Sequence, residues 1–426
     1  MKRSHQLSLA VALALGLAAC GQKEEPKKAA SAPAAPAGPT ITIAHAGPLT
    51  GSIAHLGKDD ENGVALAVEH ANAKKIMIDG KPVTFRMMSE DDQADPKVGT
   101  TVAQKLVDAK VAAVVGHLNS GVTIPASEIY GKAGIPVISG SATNPALTER
   151  GIKTVFRTVG RDDQQGPAIA AYIANELKAK KVAIVDDKTA YGEGIANEVE
   201  KTLKAAKVQV VGRERTTDKE TDFKAILTKI KSRNPDVVFH GGMDATGGPM
   251  LKQARELGIK AAFAFGDGAC TDEMGKLAGT AAEGMVCSQA GLPKEAANKE
   301  FVAAYNKKYG DIKQYAPYFY DGTMAVIEAM KKANSTDPAK FAPEMFNVSF
   351  AGATGKVEFD AKGDRKDAEM TIFKVEGGKI KPIAIVKGGV STPFKMDGAA
   401  APAAPAAPAA PAAPAKAEPK KDEKKK

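Results

Sequence analysis

VAAVVGHLNSGVTIPASEIYGKAGIPVIS, Val111 to Ser139, alternates between two kinds of pattern. VAAVVG (111–116) and IPVIS (135–139) are short apolar runs bounded by Gly, Pro and small polar residues, as a strand buried on both faces reads. TIPASEIYGKAG (123–134) lies between them and reads as a helix.

The alternation continues outward. Upstream stand the strand runs TITIAHA (40–46) and VTFRMMS (83–89), each followed by a helical segment, DENGVALAVEHANAK (60–74) and PKVGTTVAQKLVDAK (96–110). A second series carries KVAIVDD (181–187), VQVVGRE (208–214), DVVFHGG (236–242) and KAAFAFGD (260–267). Its helical segments are GEGIANEVEKTLKAA (192–206), TDFKAILTKIKSR (221–233) and MLKQAREL (250–257). Strand–helix alternation at this spacing predicts an α/β fold with parallel sheets covered on both faces, and two series predict two such doubly wound lobes. Further on, FVAAYNKKYG (301–310) and YFYDGTMAVIEAMKKA (318–333) are helical. VEFD (357–360), EMTIFKVEGGKI (369–380) and IAIV (383–386) are strand-like, with a Gly-Gly hairpin turn. This late material predicts that the chain passes between the lobes more than once. The cleft between them, at the carboxyl ends of the strands, is the natural small-molecule site.

The ends are different in kind. Met1-Lys2-Arg3 is a charged start, LSLAVALALGLAA (7–19) is an apolar run short for a permanent span, and LAAC (17–20) closes it. The pattern resembles a bacterial lipoprotein signal, which implies removal of residues 1–19 and lipidation of Cys20. Residues 20–39 then form an Ala/Pro-rich tether, and residues 396–426 an Ala/Pro/Lys tail expected to be disordered. Much of the formal charge of +9 sits in these ends: residues 1–39 and 399–426 carry +3 each, leaving +3 for the rest. With no Trp and no basic stripe interleaved with aromatics, nucleic acid is not the expected partner. In an oxidising compartment Cys270 and Cys287 are either a disulfide or two buried thiols. No Cys/His cluster points to a metal, and no motif points to a cofactor.

Enzyme signatures are missing: there is no GxSxG, P-loop, HExxH or GxGxxG. His117 and His240, at strand ends, read as satisfied structural residues, and Asp91-Asp92 and Asp162-Asp163 as loop and helix-start residues. Catalysis is not expected. Instead GHLNSG (116–121) and GSATNP (140–145) place small hydroxyls and free backbone N–H groups at strand ends, which suits an anion. In the second series DDKTAYGEG puts Tyr191 at a helix start, and FAFGDG puts Asp267 after an apolar strand. An acid across a cleft from anion-binding hydroxyls complements a zwitterion.

The strings VVGHLNSGVTIPASEIYGKAGIPVISGSATNPALTERG, FRTVGRDDQQGPAIAAYI, VAIVDDKTAYGEG, ILTKIKSRNPDVVFHGG and LAGTAAEGM resemble the branched-chain amino-acid binding proteins of ABC importers, the leucine/isoleucine/valine type of the type I periplasmic binding proteins. The resemblance spans about residues 41–395. It implies two lobes joined by three crossovers near 158–162, 286–290 and 364–369. Lobe 1 would be 41–160 and 288–366, and lobe 2 would be 161–287 and 367–395. It implies that Ser120 and Thr143, with the backbone of Ser141, hold a ligand carboxylate. Asp267, with the Ser141 carbonyl and Thr143, would face the ammonium. Leu56, Leu118, Asn119, Tyr191, Met243 and Tyr315 would form the side-chain pocket. Leu56 and Met243 stand where relatives carry aromatic residues, and the shorter Asp267 stands where they carry Glu. Asn119 and Gln93 stand where some relatives have a disulfide, which makes Cys270–Cys287 a candidate replacement. The function implied is a monomeric, lipid-anchored receptor in the periplasm or on the outer face of the envelope. It would deliver a branched-chain amino acid to a membrane permease. A sensor of the same fold, signalling rather than transporting an amino acid or amide, is the alternative.

Overall fold

The computed structural model describes residues 38–395. The signal segment 1–19, Cys20, nearly all of the tether 20–39 and the tail 396–426 lie outside the described residues. Among the described residues no helix is long and apolar enough to cross a membrane.

The first half follows the alternation closely. Strand β1 (Thr40–Gly47) leads to helix α1 (Ala54–Ala73), a two-stranded hairpin β2 (Met77–Ile78) and β3 (Lys81–Pro82), then β4 (Thr84–Asp91) and α2 (Pro96–Asp108). Next come β5 (Ala113–Gly116), α3 (Ser120–Lys132), β6 (Val137–Ser139), the single turn α4 (Ala146–Glu149) and β7 (Val155–Arg157). The five longer-range strands form one parallel sheet in the order β4-β1-β5-β6-β7. Local chemistry fixes the helix starts. Asp95 caps α2 by accepting the N–H groups of Lys97 and Val98, with Pro96 at the first helical position.

The second half begins with α5 (Asp162–Asn175), followed by β8 (Lys181–Asp186), α6 (Ala190–Ala205), β9 (Gln209–Arg215), α7 (Lys224–Ser232) and β10 (Val237–Gly241). It continues through α8 (Asp244–Glu256), β11 (Ala262–Phe265), α9 (Glu273–Ala278) and β12 (Val286–Gln289). The chain then returns to the first lobe. Helices α10 (Lys299–Tyr309) and α11 (Ala316–Ala333) pack on α1, and α11 also lies against β5 and β6. The turn α12 (Pro338–Phe341) and the hairpin β13 (Ser349–Gly352) and β14 (Gly355–Glu358) follow. Finally β15 (Met370–Glu376), β16 (Lys379–Lys387) and β17 (Val390–Pro393) extend the second sheet, whose order is β17-β16-β15-β12-β11-β10-β8-β9.

This second sheet is parallel from β9 to β12 and antiparallel from β12 to β17. The reason is local: Gly377-Gly378, both at positive φ, turn β15 straight back into β16, so no crossover helix intervenes. The sheet takes in Ser288 and Gln289 through β12. Passages between the sheets run through 158–161, 290–298 and 359–369, between Arg157 and Asp162, Gln289 and Lys299, and Glu358 and Met370. They touch one another: Gly160 N–H donates to Ala290 C=O at 2.8 Å, and Arg157 N–H to Gly363 C=O at 3.0 Å.

The glycine of ISGSATNP has a packing cause. A Cβ on Gly140 would stand 2.3 Å from Cδ2 of Phe319, so only glycine lets α11 seat against the end of β6. In the second lobe Cys270 and Cys287 are bonded, joining the turn after β11 to β12 with Cα atoms 5.4 Å apart. They are 17 residues apart, and by loop closure the bond should stabilise the fold by about 3 kcal/mol. Urea unfolding with and without dithiothreitol checks this. Reduction should lower the midpoint of the wild type and leave that of the C270A/C287A variant where it was.

Candidate functional site

Two loops at the carboxyl ends of the first sheet are locked to each other. His117 is buried, with Nδ1 2.7 Å from Asp92 Oδ2 and Nε2 3.0 Å from Tyr130 Oη. Its carbonyl accepts the hydroxyls of Ser139 (2.7 Å) and Thr123 (3.2 Å). Ser139 Oγ in turn accepts the N–H groups of Ala142 (2.9 Å) and Ser141 (3.3 Å). Ser141 donates its hydroxyl to the Leu118 carbonyl at 2.9 Å. Ser120, the first residue of α3, accepts Asn144 N–H on Oγ at 3.2 Å, which leaves its own proton free to donate. Thr143 is buried, and among the described residues its Oγ1 has no hydrogen-bond partner. Such a group costs stability unless something pairs with it.

The facing wall comes from the second sheet. Asp267 opens a short 3-10 turn after β11 and is buried. Tyr315 donates its hydroxyl to Asp267 Oδ2 at 2.7 Å, and Gln314 Nε2 donates to the Asp267 carbonyl at 2.8 Å. Tyr315 is therefore more than an apolar wall: it reaches across from the first lobe. Its position is set by Asp59 of α1, whose carboxylate accepts the N–H groups of Lys313 (2.8 Å), Gln314 (2.9 Å) and Ala316 (2.9 Å). Asp267 Oδ1 has no partner among the described residues. Burial raises the pKa of Asp267, against the pull of Tyr315, Tyr191 and Gln165. The Tyr191 hydroxyl accepts Gly268 N–H at 2.8 Å, which fixes the ring beside Asp267.

Asp162 belongs with this group, although its place in the sequence suggests only a helix start. It does open α5, and its N–H donates to the Thr143 carbonyl at 2.9 Å. Its carboxyl group is buried with both oxygens unpartnered among the described residues. Burial first, and then the nearby Asp267 charge, push its pKa well above the usual carboxylate range, against a smaller pull from the neighbouring Thr143 hydroxyl, which lies outside hydrogen-bond geometry. The sequence signal for it was slight: an acid at the start of the helix that follows a crossover. His240 corrects another expectation. It is buried, with a pKa pushed down to about 4 by burial, but among the described residues both ring nitrogens lack partners, so it is not hydrogen-bonded as a satisfied structural residue would be.

A cavity of about 560 Å³ opens between the lobes, a size ordinary for small-molecule sites. Asn119, Tyr191 and Met243 line it; Leu56, Leu118, Ser120, Ser141, Thr143, Asp267 and Tyr315 do not and are buried. Leu56, Leu118, Tyr191, Met243 and Tyr315 all belong to one contiguous apolar cluster. Two further bonds join the lobes: Asn144 Nδ2 donates to the Ala190 carbonyl at 2.6 Å, and His55 Nε2 lies 2.8 Å from Asp244 Oδ2. The arrangement is chemically a clamp. It offers hydroxyls and N–H groups on one wall, carboxyl oxygens on the other, and apolar side chains around them.

Residues 40–379 match the family model described as periplasmic binding protein, and the chain belongs to that family. It is 37% identical over 341 residues to a protein named Leu/Ile/Val-binding protein homolog 2 of Brucella abortus, covering 80% of this chain and 91% of that one. It is 36% identical over 340 residues to the leucine-, isoleucine-, valine-, threonine- and alanine-binding protein of Pseudomonas aeruginosa, covering 79% and 90%. Among solved structures, the branched-chain amino acid transporter substrate-binding protein of Streptococcus pneumoniae in complex with isoleucine superposes with a TM-score of 0.74 at 30% identity. That match covers 82% of this chain and all of the other.

Two substitutions test the orphaned groups. Thr143→Val deletes a hydroxyl that has no hydrogen-bond partner among the described residues, so its unfolding midpoint should equal or exceed that of the wild type. A clear loss of stability would mean that the hydroxyl is structural. For Asp162 the folded pKa is raised, so its contribution is full below about pH 4 and is lost as pH climbs through the folded value. Asp162→Asn should therefore gain stability relative to wild type as pH goes from 4 to 7, measured by urea unfolding at both.

Proposed function

We propose that the chain is the extracytoplasmic receptor of an ABC importer, binding leucine, isoleucine or valine between its lobes. The observation that carries this reading is a set of unpartnered buried atoms where the lobes meet, behind the cavity that Asn119, Tyr191 and Met243 line: Thr143 Oγ1 from the first lobe, and Asp267 Oδ1 and both Asp162 oxygens from the second. Hydroxyls and strand-end N–H groups suit a carboxylate, and buried carboxylates suit an ammonium. Together they suit an α-amino acid.

In this reading Ser120 and Thr143 donate to the ligand carboxylate, and the Ser141 backbone completes that half. Asp267 and Asp162 accept from the ammonium, with the Ser141 carbonyl and Thr143 beside them. The cation would offset the burial that holds both carboxyl pKa values up, and so favour their charged forms. Charge-assisted hydrogen bonds contribute about 1.5–3 kcal/mol each, so three or four near the upper end of that range reach the roughly 8 kcal/mol of micromolar binding. Leu56, Leu118, Tyr191, Met243 and Tyr315, with Asn119 at the rim, would face an aliphatic side chain. The names of the Brucella and Pseudomonas relatives, and isoleucine in the Streptococcus structure, support that choice. A ligand touching both lobes favours the form in which they are together, and that form is what a membrane permease would read. The LAAC stretch supports a lipid anchor at Cys20 that holds the protein outside the cytoplasmic membrane.

Calorimetry with the twenty amino acids should give tight binding for L-leucine, L-isoleucine or L-valine. Heat only from acidic, basic or non-amino-acid ligands would sink the assignment. Asp267→Ala should weaken that binding more than tenfold, about 1.4 kcal/mol, without unfolding the protein; unchanged affinity would remove it from the ammonium site. In cells given labelled palmitate, the label should enter the wild type and be absent from Cys20→Ser, which should also leave the membrane fraction.

A further inference from the structure

His55 and Asp244 form an ion pair that none of the clamp residues uses. His55 is the second residue of α1, which packs on β1 and β4 of the first sheet. Asp244 is the first residue of α8, on the second lobe. Nε2 and Oδ2 are 2.8 Å apart, with the Asp244 side chain fully buried and that of His55 22% exposed. Asp244 Oδ2 also accepts the Thr271 hydroxyl at 2.6 Å, while Oδ1 has no partner among the described residues. A buried carboxylate with so little compensation is costly, and a cation is what it lacks. The imidazolium is delivered from the opposite lobe. The pair therefore exists when the lobes are together and is broken when they part. It sits at the rim of the cleft, since Ile53 and Met243, next to or near these residues in sequence, line the cavity.

We propose that protonated His55, bonded to Asp244, is an affinity-determining contact that holds the lobes over the ligand and ties ligand affinity to pH. The inference rests on the reading that the lobes close on a ligand. The strongest charges acting on His55 are acidic: Asp244 on α8, Glu273 at the start of α9, and Asp59 further along α1. Lys276 and Lys58, the nearby cations in sequence, are paired with Glu273 and Glu61. Burial pulls the His55 pKa down, but Asp244 and the other acids outweigh it, and the pKa is raised above 6.5. When the lobes part, His55 meets water and returns toward its ordinary value. Closing thus takes up a proton. The contact contributes fully below about pH 6.5 and fades as pH rises through the raised value. The clamp acids work the other way, because their ionisation with rising pH favours an ammonium. A variant ratio separates the two effects.

The test is calorimetry of the full chain with L-leucine at about pH 5.5 and about pH 8.5, for wild type, His55→Gln and Asp244→Asn. Glutamine keeps a hydrogen-bond donor but does not titrate. The dissociation constant of each variant relative to wild type should be about three- to tenfold higher at the lower pH and about equal at the higher. A ratio that does not change with pH overturns the proposal, because a merely structural contact would give one. If wild type gives no heat with L-leucine, the ligand assignment has failed, and the contact is read without ligand by small-angle scattering at the same two pH values. A more compact wild type at low pH, lost in His55→Gln, supports the contact; superimposable curves overturn it.

Discussion

The guanidinium of Arg157 is the interaction on which the rest of the clamp depends. It ends β7 and is completely buried. Its Nη1 donates to the carbonyls of Ala142 and Asn144, the residues on either side of Thr143, at 2.8 and 3.0 Å. Nε donates to Asp364 Oδ1 at 2.6 Å and Nη2 to Thr148 Oγ1 at 2.9 Å. Asp364 lies in the third passage between the lobes, and its other oxygen accepts Arg161 of the first passage at 2.7 Å. One buried cation thus ties the SATN loop to the third passage, and through Asp364 to Arg161 of the first. A buried pair of this kind adds little net stability against an apolar substitute, and breaking it costs about 3–5 kcal/mol. What it supplies is geometry: the SATN loop and the hinge share one set of hydrogen bonds.

The parallel strands were legible because burial on both faces leaves them no choice of residue. KVAIV, DVVFH and AFAF each lie in strands within a residue or two of the expected ends. Shorter strands were not: VFR of β7 and VCSQ of β12 are too brief to stand out. Helix α8 begins at Asp244 rather than near Met250, because ATGGP reads as a loop by propensity. Packing overrides it there. A Cβ on Gly248 would stand 2.4 Å from Cβ of Leu277, so the glycine that weakens the helix locally is what lets α9 approach it. The hydroxyl wall was readable from two strand-end motifs. Asp162 was not, since its neighbours Thr143 and Asp267 are distant in sequence, and neither were His55 and Asp244, 189 residues apart.

Unpartnered buried groups are the recurring feature of the interior, and their charge state explains why the fold tolerates them. His45 Nε2 and both nitrogens of His240 lack partners among the described residues, and burial holds each imidazole down at about 4, hence neutral near pH 7. Asp60, on α1, is likewise buried with both oxygens free, and burial pushes its pKa well up. A neutral orphan costs about 1–3 kcal/mol, far less than a bare buried charge. The acids of the cleft differ from Asp60 in place rather than in kind. Asp162 is held under Thr143, and Asp267 is met by Tyr315 from the other lobe.

That difference bears on how closure is balanced. Between the lobes, beside the apolar cluster that takes in Leu56, Leu118, Tyr191 and Met243, stand four polar contacts: the buried Tyr315 and Gln314 bonds to Asp267, the half-buried His55–Asp244 pair and the exposed Asn144 bond to Ala190. Each replaces contacts with water, so each has a net worth of about 1 kcal/mol, or somewhat more where a charge takes part. In the receptor reading, the side-chain ordering and desolvation they require offset these bonds, so that the two arrangements of the lobes lie close in free energy. A small ligand can decide between arrangements so balanced, because it needs to supply only the difference. In that reading its most effective points of contact are the atoms left unsatisfied when the lobes meet, Thr143 Oγ1 from the first lobe and Asp162 and Asp267 from the second. An interface complete in itself would stay shut, and one without these bonds would demand far more of the ligand.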